Sequence, residues 1–260
     1  MTKEIHSDRS ARGTYIAQSK VAGYKDSQSE LAAEPAVGNG FASVSLDQEA
    51  SCHVASPAYL FIKRLFDIAF SLVVIVILSP LFVLLAVAIK VDDPEGSAFF
   101  RQKRIGKNGE VIRIFKFRSM YADAHEHPER YLTRDQMKQW LREQKVNNDP
   151  RVTKIGRIIR KTSVDEFPQF INVLFGDMSV IGPRPVTLEE TYEFGQYRDE
   201  VLSVRPGITG WWQVTDRNDA TWENGRRQEL ELWYVRHASI PTDLKVFFGT
   251  FRAIFARTGR

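Results

Sequence analysis

The sequence predicts an α+β chain. A re-entrant membrane helix-break-helix is followed by a mostly helical domain with a small β-hairpin and interfacial amphipathic helices. Three observations carry that prediction. Residues Ile68–Ile89 form an uncharged run of 22, interrupted by Ser79-Pro80. Asn108-Gly109 stands between two segments rich in β-branched and aromatic residues. Farther along, apolar residues recur at helical spacing with Arg and Lys beside them. With 260 residues, 43% hydrophobic and 26% charged, the chain is ample for one core and marginal for two. That composition excludes a wholly disordered or fibrous chain.

In chain order, residues 1–57 come first. They are rich in Ser, Ala, Gly and short polar runs without hydrophobic period, and read as a disordered tail. No apolar stretch before Pro57 has the length of a signal peptide. Residues 1–56 carry a net charge of −2, and the remainder +6. The single cysteine, Cys52, excludes an intramolecular disulfide and a Cys-rich zinc site, and suits a reducing compartment.

Residues 58–90 are the membrane segment. Twenty-two helical residues cover roughly 33 Å, enough to cross a hydrocarbon core of about 30 Å. Length alone therefore reads as a spanning helix. Two features favour a helix that enters, breaks and returns. Pro80 removes an interior backbone bond, leaving two arms of roughly 15 Å. Both flanks are basic as well: Lys63 and Arg64 before, then Lys90, Arg101, Lys103, Arg104 and Lys107 after. Positive charge marks one side of a membrane, so basic flanks at both ends argue for a return. A buried core helix fits poorly, because the run is hydrophobic all round.

Residues 91–260 read as one soluble domain. Asn108-Gly109 predicts a two-residue turn in a hairpin from Ala98 to Met120. Thr133–Lys145 reads as a polar surface helix, Val152–Lys161 as a basic helix and Val164–Leu174 as another helix. In the basic helix Arg151, Lys154, Arg157 and Arg160 recur every third residue, interleaved with Val152, Ile155 and Ile158. From Asp243 to Arg257 an aromatic stripe (Leu244, Phe247, Phe248, Phe251, Ile254, Phe255) reads either as core or as an interfacial helix.

The densest functional cluster follows the basic helix. Ser163-x-x-Glu166 matches a capping box, in which Glu166 would bond back to the cap backbone. Asp165 is not needed for that box. In the first turn of a helix it would feel the positive end of the dipole, which favours its ionised form and also attracts phosphate. An ionised aspartate near a phosphate and flanked by arginines suits a phosphoryl-accepting nucleophile. Glu166 stays open between cap and chemical assistant. Arg184, held between Pro183 and Pro185, is either an ordinary turn residue or a rigidly mounted one. The run from Arg205 to Val214, with Trp211 and Trp212, is a stiff aromatic loop that either packs or stacks a ligand. His125 and His127 near Asp123 give only weak support for a metal. No GxxxxGK[ST], GxGxxG or HExxH is present, which disfavours ordinary kinases, dinucleotide enzymes and zinc peptidases.

Taken together, the motifs resemble those of the bacterial sugar transferase family of monotopic polyprenyl-phosphate phosphoglycosyl transferases. The resemblance rests on Lys63-Arg64-x-x-Asp67, Ser79-Pro80, Arg104-Ile105-Gly106, Lys116-Phe117-Arg118-Ser119-Met120 and Asn148-Asp149-Pro150-Arg151-Val152-Thr153. It extends through Ser163-Val164-Asp165-Glu166-Phe167-Pro168-Gln169, Asn172-Val173-Leu174 and Gly176-Asp177-Met178-Ser179. Gly182-Pro183-Arg184-Pro185 and Arg205-Pro206-Gly207-Ile208-Thr209-Gly210 complete it. Val164 and Phe167 stand where the family more often has leucine. The match covers residue 58 onward and is closest to the short exopolysaccharide-initiating galactose or glucose type.

The resemblance implies transfer of hexose-1-phosphate from a UDP-sugar, galactose or glucose, to undecaprenyl phosphate, with release of UMP. A glycosyltransferase moving the sugar alone would release UDP instead. Asp165 would be the nucleophile and would bind Mg²⁺, and Glu166 would assist. Arg160 and Arg184 would hold phosphates, together with Lys116 and Arg118. Ser79 and Pro80 would mark the membrane break. The protein would sit at the cytoplasmic face of the bacterial inner membrane, touching its lipid. No nucleic acid is implied as a partner, and a homodimer stays open.

Overall fold

The computed structural model describes residues 56–143, 146–217 and 219–255. Most of the predicted 1–57 tail, with Cys52, therefore lies outside the described residues, as do positions 256 and 257 of the C-terminal helix. Helix α1 spans Pro57–Asp92. It starts at Ser56, whose Oγ accepts the Tyr59 N–H at 3.2 Å, with Pro57 in the first turn, where its missing donor costs nothing.

Where a break into two helices was expected, α1 runs on with Pro80 inside it. The reason is local. Pro80 cannot donate to the Val76 carbonyl, but the Ser79 hydroxyl does so at 2.8 Å. The orphaned acceptor is thereby satisfied from the adjacent side chain.

Both arms of α1 pack on the same domain. Phe70, Val74 and Ile75 lie against the core of Ile112, Ile114, Phe170 and Val173. Phe82, Leu85, Ala86 and Ile89 meet Ala98, Phe117 and Ile159. The opposite face is bare: Val76 is 63% exposed and Ile77 68%. Among the described residues α1 is the one helix long and apolar enough to cross a membrane, and little of its apolar stretch is buried.

Side-chain bonds pin α1 at both ends. Lys63 Nζ lies 2.7 Å from Asp243 Oδ2, which also accepts the Tyr59 hydroxyl at 2.9 Å. Arg64 donates to the carbonyls of Val173 and Leu174, and Asp67 accepts from Ser179 Oγ and the Val180 N–H. At the far end, Asp92 Oδ2 accepts the Ile155 N–H at 2.9 Å.

Strands β1 (Phe99–Ile105) and β2 (Val111–Phe117) pair antiparallel from Phe99↔Phe117 to Ile105↔Val111. The expected turn is there. Asn108 (φ 57°) and Gly109 (φ 80°) take the two left-handed positions, and the Glu110 N–H donates to the Lys107 carbonyl at 3.2 Å. Helix α2 covers Arg134–Glu143, and α3 covers Lys154–Thr162. The α3 face is not quite the predicted one. Ile159 is fully buried, Ile158 is exposed, and Arg151 is buried in a pair with Asp149 at 2.7 Å.

The single helix expected over Val164–Leu174 is divided. A short 3-10 turn, Val164–Glu166, precedes α4, Gln169–Phe175. Pro168 has no N–H to continue the turn, and its carbonyl instead accepts the Ile171 N–H as α4 begins.

Strands β3 (Ser179–Ile181) and β4 (Gly207–Thr209) form a short parallel pair. Where the chain leaves β3 and enters β4, no side chain fits. A Cβ on Gly207 would lie 2.1 Å from the Gly182 nitrogen. Between these strands come a 3-10 stretch, Glu190–Tyr197, and α5, Arg198–Val201. Helices α6 (Trp211–Thr215), α7 (Arg226–Arg236) and α8 (Ile240–Phe255) complete the described chain. The α8 stripe divides between both readings. Phe247 stacks edge-on with Phe66 and Phe70 of α1, while Leu244, Phe248 and Phe251 are exposed.

Candidate active site

The cleft forms where β2, the 3-10 turn and the β3–β4 crossing meet. Arg104, Lys116, Glu166, Gln169, Arg184 and Gly207 line it. Lys116, on β2, reaches across to Glu166, with Nζ 3.1 Å from Oε1. That contact decides the Glu166 question against the cap. Ser163 is left-handed (φ 56°), closes α3 by donating its N–H to the Arg160 carbonyl, and makes no side-chain cap bond. The capping box does not form because Ser163, shared between the end of α3 and the start of the 3-10 turn, is left-handed rather than in the extended conformation a capping side chain needs.

The two carboxylates are shifted in opposite directions. Burial pushes Glu166 upward, but the charges of Lys116 and Arg184 and the Lys116 hydrogen bond outweigh it and hold Glu166 below its usual value. Asp165 is pushed upward, first by burial and then by the adjacent Glu166 charge, against the pull of Lys116 and Arg160. The dipole stabilisation expected for Asp165 does not prevail, because a three-residue turn offers little aligned backbone. No side chain is hydrogen-bonded to the Asp165 carboxylate among the described residues.

Arg160 flanks Asp165 from α3. Its Nε donates to Ser119 Oγ at 2.8 Å, and α3 comes this close to Ser119 because Gly156 faces the Ser119 backbone. Arg184 enters from the other side, on the Pro183–Pro185 mount that follows the glycine crossing. Its backbone N–H donates to Glu231 Oε1 at 3.2 Å. The structure thus brings Lys116, Glu166 and Arg184 to one cleft, with Asp165 and Arg160 beside it.

Arg118 goes elsewhere, contrary to expectation. Its Nη1 lies 2.6 Å from Asp93 Oδ2, its Nη2 donates to the Asp93 carbonyl, and the residue is 8% exposed. It is the fastening between β2 and the end of α1. The histidines do not form a metal centre either. Asp123 is engaged by Arg130 and Tyr131, and His127 by Glu129. Arg104, which lines the cleft, lay within a recognised motif but was not assigned to the site. The buried Glu231, which accepts the Arg184 N–H, carried no signal in the sequence.

Residues 58–257 match the family model described as bacterial sugar transferase. The chain is 38% identical over 209 residues to an undecaprenyl-phosphate galactose phosphotransferase of Salmonella typhimurium, covering 80% of this chain and 43% of that protein. It is 37% identical over 195 residues to a UDP-glucose:undecaprenyl-phosphate glucose-1-phosphate transferase of Escherichia coli, 73% of this chain and 39% of that one. It is 38% identical over 199 residues to the exopolysaccharide production protein ExoY of Rhizobium meliloti, 76% of this chain and 87% of ExoY. The chain therefore spans less than half the length of the first two relatives and most of the third.

Proposed function

The chain belongs to the bacterial sugar transferase family, and from that membership we propose that it transfers hexose-1-phosphate from a UDP-sugar to undecaprenyl phosphate. Galactose and glucose are the sugars named in two of the relatives above. The observation that carries the reading is the unlike carboxylate pair. Asp165 has no side-chain partner, next to a Glu166 that Lys116 and Arg184 hold ionised.

In this reading an ionised Asp165 oxygen attacks the sugar-bearing phosphorus of the donor. The bond to the bridging oxygen breaks, UMP leaves with that electron pair, and a carboxylate–phosphate anhydride remains on Asp165. A phosphate oxygen of undecaprenyl phosphate then attacks the same phosphorus, and the anhydride bond breaks to restore the carboxylate. Arg160, Arg184 and Lys116 offset the charge of the donor phosphates. Splitting the transfer lets a soluble donor and a membrane-held acceptor use one site in turn.

The residues present fit Mg²⁺ in a limited way. Among the described residues no three His, Cys, Asp or Glu side chains converge. Mg²⁺ is commonly held by one or two carboxylates plus substrate phosphates, however, and two adjacent, mutually repelling carboxylates are suited to share it. Asp165 would hold the ion, which when bound supplies positive charge at the diphosphate.

The experiment is incubation of the purified protein with UDP-hexose and Mg²⁺ but no lipid. UMP release and a mass gain of one hexose phosphate, sensitive to hydroxylamine and absent in Asp165→Asn, are expected. UMP that appears only with undecaprenyl phosphate would demote Asp165 to a metal ligand, and UDP as product would replace the reaction.

The same reading seats α1 in one leaflet, at the cytoplasmic face of the inner membrane. Support comes from the two arms, which both pack on one domain, whereas a straight spanning helix would leave one arm beyond reach. In a Cys52→Ser background, single cysteines replacing Ala58 and Glu95 should both resist an impermeant reagent in intact cells. Labelling of one alone would mean that α1 spans.

A further inference from the structure

Arg184 enters the cleft on a mount with few backbone donors. Pro183 and Pro185 have no N–H, so across residues 183–185 the Arg184 N–H is the single one available. Three elements hold this stretch. The Gly207 N–H of β4 donates to the Pro183 carbonyl at 2.7 Å, and the Ile105 N–H of β1 to the Val186 carbonyl at 2.8 Å. The third bond runs from the Arg184 N–H to Glu231 Oε1 on α7, at 3.2 Å. Two of these bonds join backbone to backbone. The third depends on one side chain.

Glu231 is 1% exposed and does not line the cleft, so it reaches a substrate only through Arg184. Its other oxygen, Oε2, has no hydrogen-bond partner. A buried carboxylate is a costly acceptor for one amide, because a neutral side chain would accept the same bond without a desolvated charge. The choice of an acid points to a use beyond holding the loop. Two cations act on it. Arg184 is one; the other is Arg227, one turn earlier on α7, which lies over the rings of Trp212 and Trp222 and pairs with Glu190 at 3.8 Å. Burial outweighs both cations and pushes the Glu231 carboxyl up to about 7.

The Arg184 guanidinium lines the cleft, and among the described residues it makes no hydrogen bond or ion pair. No side-chain bond aims it, so its main chain does. Its charge pulls on Glu166 inside the cleft and on Glu231 outside it. One cation therefore serves acids on two sides, and an anion entering the cleft shares it with Glu231.

We propose that Glu231 is a positioning residue for the transfer: it fixes the main chain of Arg184 and competes with the donor phosphate for the charge of that guanidinium. The inference rests on the UDP-sugar reading and deepens it by naming the residue that governs the Arg184 grip. When a phosphate binds Arg184, its negative charge favours uptake of a proton from solvent by Glu231. The neutral acid still accepts the Arg184 N–H through its carbonyl oxygen, so the mount stays in place. The sign follows. Binding of the anion favours the protonated form, so the Glu231 contribution to donor affinity rises as pH falls through about 7.

The test is calorimetric titration of the purified full chain with UDP-galactose and UDP-glucose at pH 6 and pH 8. Glu231→Gln is permanently neutral and keeps an acceptor for the Arg184 N–H. It is expected to match the unaltered protein at pH 6 and to bind the preferred UDP-hexose more tightly at pH 8. The gain is bounded at about tenfold, the ratio of ionised to neutral Glu231 one pH unit above its midpoint. Glu231→Leu offers no acceptor and is expected to weaken binding about tenfold or more at both pH values. If the leucine variant does not fold, the glutamine comparison decides alone. Glu231→Gln binding no more tightly than the unaltered protein at pH 8 would overturn the competition for charge. A folded Glu231→Leu that binds within about twofold of the unaltered protein would reduce Glu231 to support of the fold. Failure of the unaltered protein to bind either UDP-hexose is a different result. It would overturn the transferase reading itself.

Discussion

The carboxylates that fasten α1 and those that line the cleft are treated in opposite ways. Asp243 accepts from Tyr59, Lys63 and Tyr234, Asp67 from Ser179 and the Val180 N–H, and Asp93 from Arg118 and the Ala122 N–H. Each accepts from two or more donors. In the cleft, Glu166 has one side-chain donor, Lys116, and Asp165 has none. The difference separates structural charge from reactive charge. A buried charge that holds a fold is stabilised by saturation, whereas one that must bond to a substrate keeps an open valence.

The sharpest way to break this comparison is Glu166→Gln. If Glu166 served only as a cap, glutamine would replace it with near-full activity. The cleft geometry predicts instead a loss of about 100-fold or more with little change in melting temperature. A second signature comes from pH. The proposed reaction requires an ionised Asp165, whose titration is raised above the ordinary aspartate value by burial and the Glu166 charge. Removing that charge lowers the Asp165 pKa, so the acid limb of the pH–rate profile should move to lower pH. A limb that stays in place or rises would show that Asp165 does not set it.

Arg118→Gln probes the other class. It strands Asp93 without its cation and should cost about 3 kcal/mol of stability, read as a lower denaturant midpoint. Turnover per folded molecule and KM for the UDP-sugar should hold. A raised KM at unchanged stability would return Arg118 to the phosphate pocket. The smallest expected effect is that of Ser79→Ala, which leaves the Val76 carbonyl unpaired beside Pro80 and should cost about 1 kcal/mol. No loss in detergent-solubilised thermal unfolding would mean that the Ser79 hydroxyl is not what carries α1 past the proline.

Part of this was readable before any coordinates. Asn108-Gly109 announced its turn because both residues tolerate positive φ, a property of the pair itself. The long apolar run announced a helix with a bare face, since nothing in a domain this size could cover it. Asp165 and Glu166 stood out in the sequence as candidates for the chemistry. Which of the two would be shifted downward was not readable, because that depended on Lys116, 50 residues earlier.

Sequence by itself determined the elements and the inventory of charges: hydrophobic period, turn chemistry and proline position act between neighbours and survive in any fold that keeps them. The tertiary structure decided the encounters. Ser163, read as a start, became a stop when the chain turned left-handed there. Arg118, read as a phosphate ligand, was taken by Asp93. Arg227 came to lie over the rings of Trp212 and Trp222, and Glu231 took the Arg184 N–H from 47 residues away. Local propensity is encoded within a few residues, but the partner of a long charged side chain is settled only when the whole chain has packed and the competing carboxylates have taken their places.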